Sequence, residues 1–135
     1  MNAERIERRK IRSNDRDMAV AMQLAHVADV LEFEAIVLAD DFGRRLAYVG
    51  DREVSDLLAN SAMWAEFNDG AIDSYTLEVL QERDPELEPS HFVSEPVRIP
   101  GDDARFRLIG LGRSLVRAIG VLHAARGIER IHSAA

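Results

Sequence analysis

One short segment of the chain constrains its fold more than any other. Residues 34–39, Glu-Ala-Ile-Val-Leu-Ala, are nearly all apolar, and the turn sequence Asp-Asp-Phe-Gly follows at 40–43. Gly43 stands where a hairpin turn calls for a positive φ, which glycine adopts without steric cost. Residues 44–49 then return as the partner strand. Because the first strand is so apolar, we predict that it is central in its sheet and covered on at least one face.

Helical periodicity precedes this hairpin. Apolar residues recur every three or four positions from Met18 to Leu31, which predicts a first helix over 15–31. These residues cover so much of the circumference that we expect the helix to be buried on two sides or to form an interface. Residues 1–14 are polar and basic, and are expected to be a flexible arm or an extension of this helix. Residues 15–135 are then expected to form a single domain.

A second helix is predicted after the hairpin, over residues 52–67. Asp51 is a suitable N-cap for it, and Trp64, the only tryptophan, is expected on its buried face. Residues 68–91 carry conflicting patterns. Apolar residues alternate there as in a strand, whereas two leucines lie three positions apart as in a helix, and the balance slightly favours a helix. A loop acting as a lid is the third alternative for this segment.

The remaining residues predict a second hairpin and a closing helix. Residues 91–99 are expected to be extended, and Pro96 confines that strand to a sheet edge or a bulge. A turn at 100–103 leads to a strand over 105–111, and the last helix is predicted over 114–126. Its expected buried positions are Leu115, Ile119, Val121 and Leu122, with Gly127 as the residue that ends the helix.

The predicted order is therefore α-β-β-α-(loop)-β-β-α. Two hairpins with helices between and around them indicate an α+β fold, in which an antiparallel sheet is flanked by helices. The length of 135 residues is typical of one domain.

Amino-acid composition and charge argue against several classes of function. The chain has no cysteine, and its net charge is −7. The basic groups lie at the two ends, with net +3 over residues 1–16 and +5 over 105–135, whereas 17–104 carries five basic and twenty acidic groups. An acidic protein is not expected to bind nucleic acid. No apolar run suits a membrane helix or a secretory signal, so we expect a cytoplasmic protein without membrane contact.

Motifs that carry chemistry are missing from the sequence. The four histidines lack the spacing of a helical zinc site, and no serine lies in a G-x-S-x-G elbow. The adjacent aspartates at 40–41 and 102–103 fall in predicted turns, where aspartate is common for conformational reasons. We therefore expect a protein that is not an enzyme and that uses no metal and no cofactor.

The first hairpin and second helix carry a family resemblance. The stretch from Ala35 to Ala47, with Asp40, Gly43 and Ala47 in the Asp-x-x-Gly turn and following strand, resembles the roadblock/LC7 family, which has a profilin-like or longin-like layout. The resemblance implies a homodimeric scaffold that often serves small GTPases. The interface it implies comprises Leu46, Tyr48, Val49, Val54, Leu57, Leu58 and Ser61.

GAF sensor domains have a similar order of hairpins and helices and are the competing interpretation. Residues 68–91 exceed what a compact roadblock domain requires, which favours the GAF-like alternative, whereas the short chain favours the roadblock type. A GAF-like fold implies a small-ligand pocket between sheet and helices. Its candidate walls are Trp64, Tyr75 and Phe92.

Overall fold

A computed structural model describes residues 3–65, 67–101 and 105–133. The helices and strands in these ranges alternate as two hairpins separated and flanked by helices, in agreement with the predicted α+β fold. In chain order they are α1 (Ala3–Val30), β1 (Phe33–Asp40), β2 (Arg45–Gly50), α2 (Arg52–Ser61), α3 (Ser74–Arg83), β3 (Phe92–Val97), β4 (Phe106–Gly112) and α4 (Arg117–Ser133).

The described strands form one antiparallel sheet in the order β2-β1-β4-β3. The apolar strand β1 is central, as its sequence predicts, because it pairs with β2 on one side and β4 on the other. Val37, for example, lies opposite Tyr48 and Ile109. Pro96 lies in the edge strand β3, where its missing N–H costs no hydrogen bond within the sheet. Asp102 and Asp103 of the predicted second turn lie outside the described residues.

The sheet separates two hydrophobic cores, and β1 contributes to both. Alternate side chains of a strand point to opposite faces, so a strand covered on both faces is apolar throughout. The α1-side core, under α1 and α4, includes Val20, Leu24, Ile36, Leu38, Leu108, Val121, Ala124 and Ile128. The α2-side core, under α2 and α3, includes Ala35, Val37, Leu58, Leu80, Ile109 and Leu111.

Residues 74–83 form the helix α3, which decides between the conflicting patterns of the 68–91 segment. Asp73 caps it by accepting a hydrogen bond from the Thr76 N–H at 3.0 Å, and Leu80 is buried in the α2-side core. Leu87, in the connection that follows, is also buried there. The segment is therefore a packed helix with a short return loop.

Trp64 does not occupy the predicted core position. The helix α2 ends at Ser61, and residues 62–64 continue as a 3-10 turn with tighter winding. Since a 3-10 turn has about three residues per turn, the α-helical spacing that places Trp64 inward no longer applies. Ala65 is buried in its stead, and the indole of Trp64 is half exposed.

The closing helix differs from its prediction in extent and in orientation. It continues to Ser133, and Gly127 lies inside it against Gln23 of α1, so Gly127 does not end the helix. The buried residues of α4 are small for the most part: Gly120, Val121, Ala124, Ala125, Gly127 and Ile128. Small residues allow two helix backbones to approach closely, so this face packs on α1. Three of the predicted core positions, Leu115, Ile119 and Leu122, are exposed as a result.

Candidate interaction surfaces

The residues implied as an interface by the roadblock resemblance differ in how they are placed. Leu58 and Ser61 are buried inside this chain, so their side chains present nothing to a partner, which corrects that part of the implied interface. Val49 packs against the α1-side core, and Val54 and Leu57 pack against the α2-side core, all three partly exposed. Leu46 and Tyr48, on the edge strand β2, remain accessible.

A β-bulge at Leu46 changes which side chains of β2 share a sheet face with Tyr48. Leu38 pairs with Ala47 and Ala39 pairs with Arg45, so Leu46 is the extra residue of β2 without a partner across the strand pair. The bulge brings Arg45 onto the same sheet face as Tyr48, where the guanidinium lies 4.2 Å from the ring centroid. This edge therefore combines one aromatic ring with a cation stacked on it.

The outward side of α2 is occupied by charges. Arg45 pairs with Asp56 at 3.1 Å, and Arg83 of α3 pairs with Glu53 and lies 3.8 Å from Asp51. Such exposed ion pairs contribute little to stability, but they make the surface polar. An apolar helix-to-helix contact through α2 would have to desolvate these groups.

The opposite layer presents a broad apolar surface, which we call the α1–α4 outer face. Seven large apolar side chains of the described chain lie on it or at its end, with exposed fractions between 42% and 97%. They are Met18, Met22 and Val30 of α1, and Leu115, Val116, Ile119 and Leu122 in and just before α4. The apolar circumference of α1 predicted such a second side, whereas Leu115, Ile119 and Leu122 were expected in the core.

A groove of about 220 Å³ lies within the α1–α4 outer face. Gly120 forms part of its floor, because α1 and α4 approach closely there and Leu31 packs against that glycine. His26 and His123 contribute to its wall, and both are exposed. The other lining residues are apolar: Val27, Val30, Leu31, Val116 and Ile119. The face thus combines protruding apolar side chains with a depression of similar chemistry.

A second groove, of about 540 Å³, lies on the α2 side between the 3-10 turn and α3. Two of the three walls implied by the GAF resemblance, Trp64 and Tyr75, line it, whereas Phe92 packs against the α2-side core. Phe67, which the sequence analysis did not single out, is the third aromatic residue of this groove. The ring centroids of Trp64 and Phe67 are 6.4 Å apart, with the planes inclined by 48°. We call this site the aromatic groove.

Asp73 lies in the wall of the aromatic groove as an anion. Partial burial raises the pKa of its carboxyl, but hydrogen bonds from the Ser61 hydroxyl and from the N–H and hydroxyl of Thr76 outweigh this effect. The pKa of Asp73 is therefore below its ordinary value. The carboxylate caps α3, and because its pKa is lowered it places a negative charge beside the aromatic rings at neutral pH.

A cleft of about 590 Å³ opens at the end of the sheet where β1 reaches Asp40. Asp40 accepts hydrogen bonds from the backbone N–H groups of Phe42 and Arg44 at 3.0 and 2.9 Å, and from the Arg44 Nε at 2.7 Å. Burial raises the pKa of Asp40, but these bonds outweigh it and lower the pKa below its ordinary value. Asp40 is therefore an ionised turn former, as the turn interpretation of this aspartate pair predicts. Further lining residues include Met63, Pro96, Ile99, Arg105 and Arg107.

Within the described ranges, no three histidine or acidic residues are grouped so that they would hold a metal ion. Of the helices described, none is both long and apolar enough to cross a lipid bilayer. Neither a protein-family model nor a curated protein matches the sequence of this chain.

Proposed function

We propose that this chain is a non-enzymatic, dimerising regulatory module and that two copies pair through the α1–α4 outer face. The single observation that carries the proposal is the concentration of exposed large apolar side chains on that face. Grouped exposed apolar side chains favour association, because covering them releases free energy in proportion to the apolar area removed from solvent.

A second copy suits this face because the surface is complementary to itself. In a twofold interface each patch meets an identical patch, so one patch must supply both protruding groups and depressions. Ile119 and Leu115 protrude, and the groove beside Gly120 is a depression of matching apolar chemistry. Along α1, Met18, Met22 and Ala25 are exposed at spacings of four and three, as in the seam of paired helices.

The sheet order and the placement of helices on both faces support a roadblock/LC7-type scaffold as the particular form of this module, with a small GTPase as the partner class. The charged outer side of α2 is the feature that differs from the interface implied by that resemblance. Our proposal therefore keeps the scaffold role and moves the pairing surface to α1 and α4.

The test is the oligomeric state of matched variants by size exclusion with light scattering and by sedimentation equilibrium. We expect a wild-type dimer, and we expect Ile119→Glu and Met22→Glu to raise the dimer dissociation constant roughly 100-fold, since each substitution occurs twice in a twofold interface. Leu46→Glu, an equally polar change on the edge strand β2, is the control and should leave the dimer intact. All three side chains are exposed, so each variant should keep its circular dichroism spectrum and melting temperature.

A monomeric wild type would refute the proposed dimer. A dimer broken by Leu46→Glu but not by Ile119→Glu would place the interface at β2 and α2, as the roadblock resemblance implies.

The cleft beside Asp40 favours a second candidate function, a small-ligand sensor of the GAF-like kind. Its lining combines apolar walls with three arginines, Arg98, Arg105 and Arg107, against two carboxylates, Asp40 and Asp41, which suits a small anion with an apolar part. Arg107 lines the cleft, and its guanidinium donates to the Ser94 hydroxyl at 3.0 Å beside it. Thermal-shift screening with nucleotides and organic acids tests this candidate, and a ligand whose saturable shift is lost in Arg107→Ala would support it.

A further inference from the structure

We infer that the aromatic groove binds an extended, arginine-bearing peptide segment of a partner protein. This inference concerns the α2 side of the sheet and goes beyond the proposed dimer, which uses the other side. The groove, its charge and its polar rim each contribute a separate argument.

The aromatic side chains supply the first argument. Trp64, Phe67 and Tyr75 have exposed fractions of 49%, 84% and 64%, although aromatic residues make up only 6% of the chain. Large rings with few rotatable bonds offer contact area at a small entropic cost, which is why exposed clusters of them are typical of binding sites. The groove between them has room for several side chains of a partner.

Charge determines the chemistry of the occupant. The stretch of sequence that contains all three rings, residues 53–82, has seven acidic residues and no lysine, arginine or histidine. Two of the seven, Glu53 and Asp56, are paired with Arg83 and Arg45 from outside this stretch. Asp73 borders the groove, and Glu78 is exposed one turn along α3 from Tyr75, whereas Asp69 lines an adjoining pocket together with Arg107. A cation is therefore attracted both by the carboxylates and by the faces of the aromatic rings. Arginine fits both, because its planar guanidinium stacks on rings while it donates to carboxylates.

The rim of the groove favours an extended backbone over a compact ligand. Asn60 and Asn68 line it. An amide side chain has both a donor and an acceptor, which match the N–H and C=O of an extended peptide. The groove thus offers stacking surfaces for side chains and hydrogen-bonding groups for a main chain.

Trp64 makes the inference directly measurable, because the only tryptophan of the chain lies in the groove. The probe is a synthetic ten-residue peptide of alternating proline and arginine, with a proline–glutamate peptide of equal length as its counterpart. We expect the arginine peptide to change the Trp64 fluorescence saturably, with a dissociation constant of order 10–100 μM. The affinity should fall as salt is added, because exposed charges are screened.

Two groups of variants identify the groove as the site. Tyr75→Ala and Phe67→Ala should each weaken binding about tenfold or more, and Glu78→Gln should weaken it several-fold. Phe42→Ala, which removes an exposed phenylalanine in the β1–β2 turn, is the matched control and should bind as the wild type does. These side chains are exposed, so an unchanged melting temperature is expected for every variant.

Three results would overturn the inference: no saturable change up to about 1 mM peptide, equal binding of the glutamate peptide, or an affinity unaffected by Tyr75→Ala. A Trp64 signal that depends on protein concentration without peptide would also overturn it, in favour of a second copy of this chain as the occupant. The oligomeric state measured for Ile119→Glu is independent of all these outcomes, so the two proposals fail separately.

Discussion

On one face of the sheet, α4 packs mainly through alanines, glycines, Val121 and Ile128, and α1 packs through the larger Val20, Leu24 and Val27, whereas on the other face α2 and α3 pack through leucines and buried hydroxyls. The outer surfaces also differ. Because the small residues of α4 turn inward, its large apolar residues are left outside, whereas Leu58 and Leu80 turn inward on the other face and charges cover α2. A helix that packs closely through small residues, as α4 does, therefore carries its large apolar residues outward, where a second protein can cover them.

The largest expected effect tests whether the two cores form one cooperative unit. Leu24→Ala removes a fully buried side chain from the α1-side core, and Leu58→Ala does the same in the α2-side core. Each should lower the free energy of unfolding by about 2–5 kcal/mol, because a cavity remains after the truncation. Urea denaturation followed by circular dichroism, at one protein concentration, measures both.

A single unfolding transition in both variants would show that α1 and α2 stabilise a common structure through β1. Two separate transitions in either variant would show that one face unfolds without the other.

A smaller effect is expected from filling the close contact between α1 and α4. A Cβ atom at Gly120 would overlap the side chain of Leu31 and lie 3.6 Å from Phe33. Gly120→Val should therefore destabilise the protein by about 1–3 kcal/mol through overpacking. Ala118→Val, at an exposed position on the same helix, should cost about 0.5 kcal/mol, the difference in helix propensity. Equal effects of the two substitutions on urea denaturation would contradict close packing at Gly120.

The smallest expected effect is a difference between the two faces of the sheet in the pH at which acid begins to lower stability. Burial, with the nearby Arg16 guanidinium, lowers the pKa of His132 on α4, although Asp17 opposes the shift. Because the folded pKa lies below the ordinary value of 6.5, the unfolded chain binds the proton more readily, so stability falls as pH drops below about 6.5. The lowered pKa values of Asp40, Asp73 and, on α4, Glu129 act later, as pH falls below their ordinary values of 3.8 and 4.5, where the protonated unfolded carboxyls are favoured.

Urea titrations at a series of pH values measure this difference. His132→Gln should remove the slope that begins as pH falls below 6.5 and leave the later loss in acid unchanged. A slope that persists in this variant would assign it to another group.

Local patterns were sufficient to predict elements whose stability comes mostly from neighbouring residues. The hairpin at Gly43 and the capping of α2 by Asp51 are confirmed, with φ of 79° at the glycine and a 3.0 Å bond to the Asp51 carboxylate. Pro96 lies in an edge strand as predicted. The last helix and the burial of Val121 are confirmed, whereas Leu115, Ile119 and Leu122, which were expected in the core, are exposed.

The candidate surfaces were harder to predict from the sequence. The apolar circumference of α1 indicated an interface, but the contribution of α4 depends on which of its sides faces α1. The aromatic groove brings Trp64 together with Tyr75, eleven positions along the chain, and the exposed position of Trp64 depends on the change to 3-10 winding after Ser61. Neither the side of α4 that faces α1 nor the change of winding after Ser61 is marked by a periodic pattern in the sequence.

Sequence patterns were enough to predict the order of helices and strands, the central position of β1 and the uneven distribution of charge, because turn residues, caps and apolar periodicity act over a few positions. Which side of each helix is buried depends instead on contacts between distant parts of the chain. Helix packing is governed by how closely two backbones approach, and small residues such as Gly120 and Gly127 permit an approach that larger apolar residues would prevent. The outward side of α1 and α4, and with it the surface available to a partner, follows from that contact.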